Sequence, residues 1–215
     1  RGLSETWPAR LTTEDIERPA MYLAERKARE FKDSSANYDD YLHGLSQRLV
    51  IEALSQRTLA RVAQLHERTN QFNPTTRRFS EADLSKFMTQ PESAMVLLGT
   101  AEDRFGAHGI VIAGVARIEG ETAYLDSLVM SCRVIARQIE AAFIGTVLDE
   151  LTNKGVRSVV ATFRSSGRNE LVRDLYPSLG FEALESDDNE TQTWIWKASQ
   201  QALPASDHVA VEWRT

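Results

Sequence analysis

A single cysteine stands at the most chemically suggestive point of the chain. In Tyr124-Leu-Asp-Ser-Leu-Val-Met-Ser-Cys132-Arg133-Val134 an apolar strand carried by Tyr124, Leu125, Leu128 and Val129 gives way to a new period. Val134, Ile135, Ile139, Phe143, Val147 and Leu151 then recur at the three-to-four spacing of an amphipathic helix. Cys132 is therefore expected at or just before a helix N-terminus. Unpaired N–H groups and the positive end of the helix dipole favour thiolate over thiol there, and Arg133 adds a full positive charge. A thiolate so placed is a candidate nucleophile.

A base would complete it. If Glu119-Gly120 is a two-residue hairpin loop, paired positions in the flanking strands sum to about 239, or about 240 with one more loop residue. His108 then lies opposite Ser131 or Cys132. Directly opposed residues have Cβ atoms about 4.5–5.5 Å apart, so the imidazole is expected to reach the thiol. Such a pair makes a nucleophile at neutral pH, with His taking the proton and returning it to the leaving group. A third group usually orients the base; Asn70, Asn73 and Asp103 are the candidates, and spacing does not choose among them. Thr75-Thr76-Arg77-Arg78 is a donor cluster suited to a phosphate or carboxylate. His43, His66 and His208 read as helix-face or tail residues. No His/Cys/Asp/Glu group shows metal-ligand spacing, so no metal is expected in this chain.

The elements that must position these groups follow from the rest of the sequence. With 215 residues, 42% hydrophobic and 26% charged, the chain can bury a full core as one large domain or one domain with an appendage. A formal net charge of −6 gives no basic excess for nucleic acid, and no apolar run is long enough for a membrane. One cysteine cannot form an internal disulfide, and no signal-peptide pattern is present, so a cytoplasmic setting is expected. The first residue is Arg1, which suggests a piece of a longer polypeptide.

Helices are expected from Thr12 to Phe31 and from about Ser35–Asp40 onward, the second weakened by Gly44. A short strand at Leu49-Val-Ile51 follows, then a helix over Arg57–Arg68, a polar loop to Arg78, and a helix opened by the capping residues Ser80-Glu-Ala-Asp83. Pro91 ends that region, and the period then changes. Strands are expected at 94–100, 110–118 and 122–131, a long helix after Cys132 to about Asn153, and a strand at 156–163. A helix over 167–179 and strands at 181–184 and 191–196 complete the pattern, with 198–215 read as tail. The domains are thus a helical appendage at 1–55, an α/β domain at 56–197, and the tail.

This order of elements resembles the GNAT acyltransferase fold, a mixed and mainly antiparallel sheet flanked by helices. In that fold the third strand of the meander and the strand after the long helix splay apart to admit a pantetheine arm. Four motifs narrow the resemblance: Arg68-Thr-Asn-Gln-Phe-Asn-Pro-Thr-Thr-Arg-Arg78, Asp103-Arg-Phe-Gly-Ala-His-Gly109, Met130-Ser-Cys-Arg-Val134 and Tyr176-Pro-Ser-Leu-Gly-Phe181. In that order and spacing they resemble the C-terminal half of the FkbH-like glyceryltransferase/phosphatases of polyketide biosynthesis, over about residues 58–197. The helical region from Thr12 to Ala53 looks like the end of that family's HAD-type phosphatase half.

The resemblance implies transfer of a glyceryl group, derived from 1,3-bisphosphoglycerate, through an enzyme cysteine to the phosphopantetheine thiol of an acyl carrier protein. Cys132 would be the nucleophile, His108 its base, and Asn70 or Asn73 the orienting group. Thr75, Thr76, Arg77, Arg78, Arg104, Arg133, Asn169 and Tyr176 would contact substrate. The carrier would deliver the phosphopantetheine, and the chain itself would bind no cofactor. Partners would be the carrier and a HAD-type phosphatase domain, with Mg confined to that domain, because its Asp-x-Asp motif is absent here. Where GNAT enzymes have Arg-x-x-Gly-x-Gly to cradle a pyrophosphate, this chain reads Arg133-Val-Ile-Ala136-Arg137-Gln138. Loss of both glycines counts against tight coenzyme A binding and favours a carrier-borne arm. Two other readings remain: an N-acetyltransferase using acetyl-CoA with Tyr176 as general acid, and a non-catalytic module that docks a carrier protein.

Overall fold

The structure, a computed structural model, describes residues 26–28, 30–184 and 191–214. Most of the helix expected over Thr12–Phe31 lies outside the described residues; 26–28 and 30–34 are helical. α1 (Tyr38–Leu45) opens at Asn37, whose side chain accepts from the Asp40 N–H, and leads into β1 (Gln47–Ala53). α2 (Leu59–Arg68) and α3 (Glu81–Met88) follow, the latter started by a reciprocal capping box between Ser80 and Asp83. Then come the meander β2 (Ala94–Asp103), β3 (Gly106–Glu119) and β4 (Thr122–Met130), a 3-10 turn at Cys132–Val134, and α4 (Ile139–Asn153). β5 (Ser158–Arg164), a second 3-10 turn at Glu170–Val172, the short α5 (Leu175–Ser178), β6 (Glu182–Leu184), β7 (Thr191–Lys197) and β8 (Val209–Arg214) complete the order.

The eight strands of the described residues form one sheet in the order β6-β7-β5-β4-β3-β2-β1-β8. The pairings are antiparallel except β4 with β5 and β1 with β8. Alternation along β2 divides the core between the two faces. Met95 and Leu97 join the larger cluster with Phe143, Ile144, Val147 and Leu148 of α4. Val96 and Leu98 join the smaller one with Leu59, Val62 and Leu65 of α2 and Leu84 of α3. The sheet is thus a mixed, mainly antiparallel layer between two helical layers, as expected.

Three expectations are corrected. First, β1 is a full strand paired to β2 over Arg48–Ala53, so a boundary at residue 55 would cut through the sheet. Second, the tail is structured: β8 runs parallel to β1, and Arg48 ties it down through Glu212. Upstream of β8, the Pro204 carbonyl occupies the place where a side chain at Gly145 would begin, so a glycine in α4 is what lets the segment cross it. Third, the helix over 167–179 is broken into the 3-10 turn and α5, with Pro177 inside the latter. Gly44, which weakens α1 by propensity, has a packing reason, because the Phe31 ring lies where its Cβ would be.

Candidate functional site

Cys132 is exposed at the C-terminal end of β4. It does not cap the long helix as expected. It opens a three-residue 3-10 turn, and α4 begins only at Ile139, so the helix dipole acts on the residues after Gln138 and not on the thiol. Its Sγ makes no hydrogen bond among the described residues. Arg133 next to it donates from Nε to Ser131 Oγ at 3.3 Å.

The register also differs from expectation. The hairpin turn is Gly120-Glu121, because Glu119 pairs with Thr122, and a bulge at Asp126 shifts the ladder by a further residue. Ile112 therefore faces Met130, and the ladder ends there. Continuing it would bring Ile110 opposite Cys132, with His108 a diagonal position further on. His108 and Cys132 share one end of the sheet but do not oppose each other.

His108 is itself a bulge residue, skipped between the pairs Ala101 with Gly109 and Glu102 with Ala107. A bulge re-aims a side chain, and this one turns the imidazole inward. His108 Nε2 lies 2.8 Å from Asp103 Oδ2, and Arg137 Nη1 donates to that same oxygen at 2.7 Å. The Asp103 side chain is 1% exposed, His108 8% and Arg137 9%. Burial alone would raise the Asp103 pKa. Hydrogen bonds from His108 and the Phe105 N–H, with the charges of His108 and Arg137, outweigh it and hold the carboxyl below its ordinary range. Of the three candidate orienting groups, Asp103 is the one in contact with His108. Arg137, which sequence reasoning did not single out as a site residue, links this group to the Cys132 loop.

Asn70 and Asn73 are placed elsewhere. Exposed Asn70 accepts from Arg78, and buried Asn73 donates from Nδ2 to the Arg77 carbonyl at 3.0 Å. Their loop bridges the gap where β4 and β5 part. Those strands pair only from Thr122 with Ser158 to Leu125 with Ala161, then diverge. Into the gap the Phe72 carbonyl accepts from the Met130 N–H at 3.2 Å and the Pro74 carbonyl from the Arg164 N–H at 2.8 Å. Thr75 Oγ1 donates to the Asp126 carbonyl at 3.0 Å, and Arg77 pairs with the Asp126 carboxylate at 2.7 Å. Thr75 and Arg77 thus serve the chain's own backbone and a carboxylate instead of a ligand. Thr76 between them takes a left-handed φ of 59°.

Asn169, expected to contact substrate, is fully buried and holds this bridge. Its Nδ2 donates to the carbonyls of Asn73 and Arg164 at 2.9 Å, and its Oδ1 accepts from the Ser166 N–H and hydroxyl. Tyr176 is likewise a core residue. It packs against Phe181 and Trp194, its hydroxyl has no partner among the described residues, and burial pushes its pKa up, which makes it a reluctant acid. Arg104 stacks on Phe31 and Phe105 and donates to the Gly44 carbonyl, fastening α1 to the β2–β3 turn. Arg78 reaches a cleft of about 820 Å³ between α2 and α3, lined also by Arg61, Gln64, Glu67 and Asp83.

The loop between Cys132 and α4 adopts a conformation that glycine would take without strain. Ala136 and Gln138 both have φ of 61°, in the left-handed region that glycine favours. The loop's outer groups are engaged by distant segments. Tyr38 of α1 donates to the Ala136 carbonyl, buried Gln47 donates to the Arg137 carbonyl at 3.1 Å, and Ser206 donates to Gln138 Oε1 at 2.9 Å. Glu140 in the first turn of α4 is pushed up in pKa by burial, and its Oε2 has no partner among the described residues.

The sequence matches no protein-family model and no curated protein. Solved structures do match. The spermidine N-acetyltransferase of Vibrio cholerae, determined with CoA and spermine, superposes with a TM-score of 0.53 at 14% identity, over 71% of this chain and 96% of that one. YncA from Salmonella typhimurium, a putative acetyltransferase with acetyl-CoA, gives 0.52 at 14% identity, over 74% and 98%. The GNAT domain of S. lividans PAT gives 0.54 at 11% identity, over 68% and 89%. At these identities the likeness concerns the backbone: this chain has the GNAT fold.

Proposed function

We propose that the chain is an acyltransferase domain in which Cys132 carries the acyl group, with a glyceryl unit as the donor group and the phosphopantetheine thiol of an acyl carrier protein as acceptor. The observation that carries this reading is the solvent-exposed thiol of Cys132 at the end of β4, on a loop anchored to His108 through Arg137 and Asp103. The thiolate attacks the carbonyl of an acyl phosphate, a C–S bond forms, and phosphate leaves. The carrier's thiolate then attacks the enzyme thioester and Cys132 departs as thiolate, an exchange between bonds of similar energy. His108, with Nε2 held by Asp103, keeps Nδ1 for the proton. The loop's carbonyls are held by Tyr38 and Gln47 and the Arg137 guanidinium is committed to Asp103, which favours an arm delivered by a protein over a coenzyme gripped at this loop.

The test is intact-mass analysis of the chain after incubation with a glyceryl-pantetheine thioester, beside Cys132→Ser. A mass gain of one glyceryl group in the wild type and none in the variant supports the relay. Equal gains in both, or none in either with undiminished carrier binding, would replace it with the docking-module reading.

A second reading is an N-acetyltransferase using acetyl-CoA. What favours it is the left-handed pair Ala136 and Gln138, which preserves a glycine-type loop ahead of a long helix. Calorimetric titration with acetyl-CoA separates the two: the relay expects weak or absent binding, and micromolar affinity would favour the acetyltransferase.

A further inference from the structure

Away from Cys132, two imidazoles and a carboxylate converge where α1 meets the turn before β8. Asp39 and His43 stand four residues apart on α1 and so share a face. His208 comes from the far end of the chain. Asp39 Oδ1 lies 3.2 Å from His208 Nε2, and Asp39 Oδ2 lies 3.5 Å from His43 Nδ1. One ligating atom from each residue falls within 4.8 Å of the other two. The two rings meet edge to face with centroids 4.4 Å apart.

The two spacings to Asp39 are compatible with a coordination shell. Donors bound to zinc at about 2.0–2.1 Å in tetrahedral geometry stand roughly 3.3 Å from one another. Two imidazoles with one carboxylate form a donor set that suits zinc and its neighbours in the first transition row. The His208 ring is fixed where it stands. The His208 side chain is 8% exposed, and its Nδ1 is buried without a hydrogen-bond partner among the described residues. The nitrogen that faces the cluster is Nε2, 3.2 Å from Asp39 Oδ1, so a cation would take Nε2 while Nδ1 is turned away from it. The ring is also held in place: the His208 carbonyl accepts from Gln47 Nε2 at 3.4 Å and its N–H donates to Ser206 Oγ at 3.2 Å. Asp39 and His43 are exposed, which leaves a solvent path and a fourth position for water.

We infer that Asp39, His43 and His208 bind one divalent transition cation, Zn²⁺ by the chemistry of the set, and that the cation ties α1 to β8. The site is independent of the reading of Cys132. Its structural consequence follows from Tyr38, one residue before Asp39, whose hydroxyl holds the Ala136 carbonyl. Fastening α1 to the C-terminal turn fastens it over the loop that leads into α4.

The test uses the whole chain stripped with EDTA and titrated with ZnCl₂ by calorimetry, with thermal unfolding in parallel. The expected result is one equivalent bound and a rise in Tm for the wild type and for Cys132→Ser. Asp39→Asn and His43→Gln, both at exposed positions that leave the fold intact, should each lower the affinity at least tenfold and abolish the rise. Co²⁺ substitution should give tetrahedral visible bands without a thiolate charge-transfer band. No binding by the wild type, binding unchanged in both variants, or binding lost in Cys132→Ser would overturn the site.

Discussion

His108 and Asp103 share a hydrogen bond of 2.8 Å inside the protein, at an oxygen that Arg137 also claims. With the Asp103 side chain only 1% exposed, its charge is tolerated because two donors and a backbone N–H meet it. Asp103→Asn would keep the shape and remove the charge, leaving the Arg137 guanidinium buried without a counter-ion. Breaking a buried pair in this way costs about 3–5 kcal/mol, and urea unfolding should read that loss. The pH dependence has a definite sign. A carboxyl held below its ordinary pKa stabilises the fold above about pH 4, and the contribution is lost as pH falls through the folded value. Wild-type stability should therefore drop more steeply below pH 4 than that of Asp103→Asn.

His66 titrates in a different window. It is fully buried on α2 against Phe79 and 3.4 Å from the Ser127 hydroxyl, and burial pushes its pKa down to about 4. The unfolded chain, with a histidine near 6.5, binds a proton that the folded chain refuses between those values. Stability is thus complete above pH 6.5 and falls as pH drops toward 4, by roughly 3 kcal/mol at about 1.4 kcal/mol per unit. Denaturant midpoints measured from pH 7.5 to 4 should show this slope, and His66→Leu should flatten it.

The short apolar runs between Ala94 and Glu119, separated by turn residues, made the meander legible, and the capping residues Ser80 and Asp83 made α3 legible. The candidate site was less so, for local reasons. A turn moved from Glu119-Gly120 to Gly120-Glu121 and a bulge at Asp126 leave the hydrophobic pattern nearly unchanged but slide His108 past Cys132. The bulge that turns His108 toward Asp103 has no marker in composition, although Asp103 five residues upstream was visible as a candidate. Apolar Val209, Val211 and Trp213 alternate in the manner of a strand, a signal the length of the preceding polar segment obscured. Asp39 and His43 carry helix spacing, but their partner His208 is brought in only by the pairing of β8 with β1.

Ala136 pays for its conformation. A non-glycine residue in the left-handed region costs about 1–2 kcal/mol, whereas glycine adds roughly 0.5–1 kcal/mol of unfolded-state entropy. Ala136→Gly should therefore raise stability by about 0.5–1 kcal/mol, the reverse of the usual sign for this change. The Tyr38 contact uses the backbone carbonyl and survives the substitution. Thermal unfolding of the single variant checks the sign. A destabilised Ala136→Gly would mean that the alanine methyl makes contacts worth more than the strain.

Asn169 links two segments far apart in sequence, and that makes its removal informative. Its amide holds the Asn73 and Arg164 carbonyls while its oxygen takes the Ser166 N–H, all at a fully buried position. Asn169→Ala would leave those groups without their partner, at about 1–3 kcal/mol for each one that water cannot reach. The bridge over the diverging ends of β4 and β5 then rests on the Met130 to Phe72 and Arg164 to Pro74 backbone bonds. Hydrogen exchange should show faster opening at the Met130 and Arg164 amides in the variant, with the amides of β2 and β3 unchanged. Global loss of protection would instead mean that the bridge is part of the folding core. A change confined to those two amides makes it a local strap.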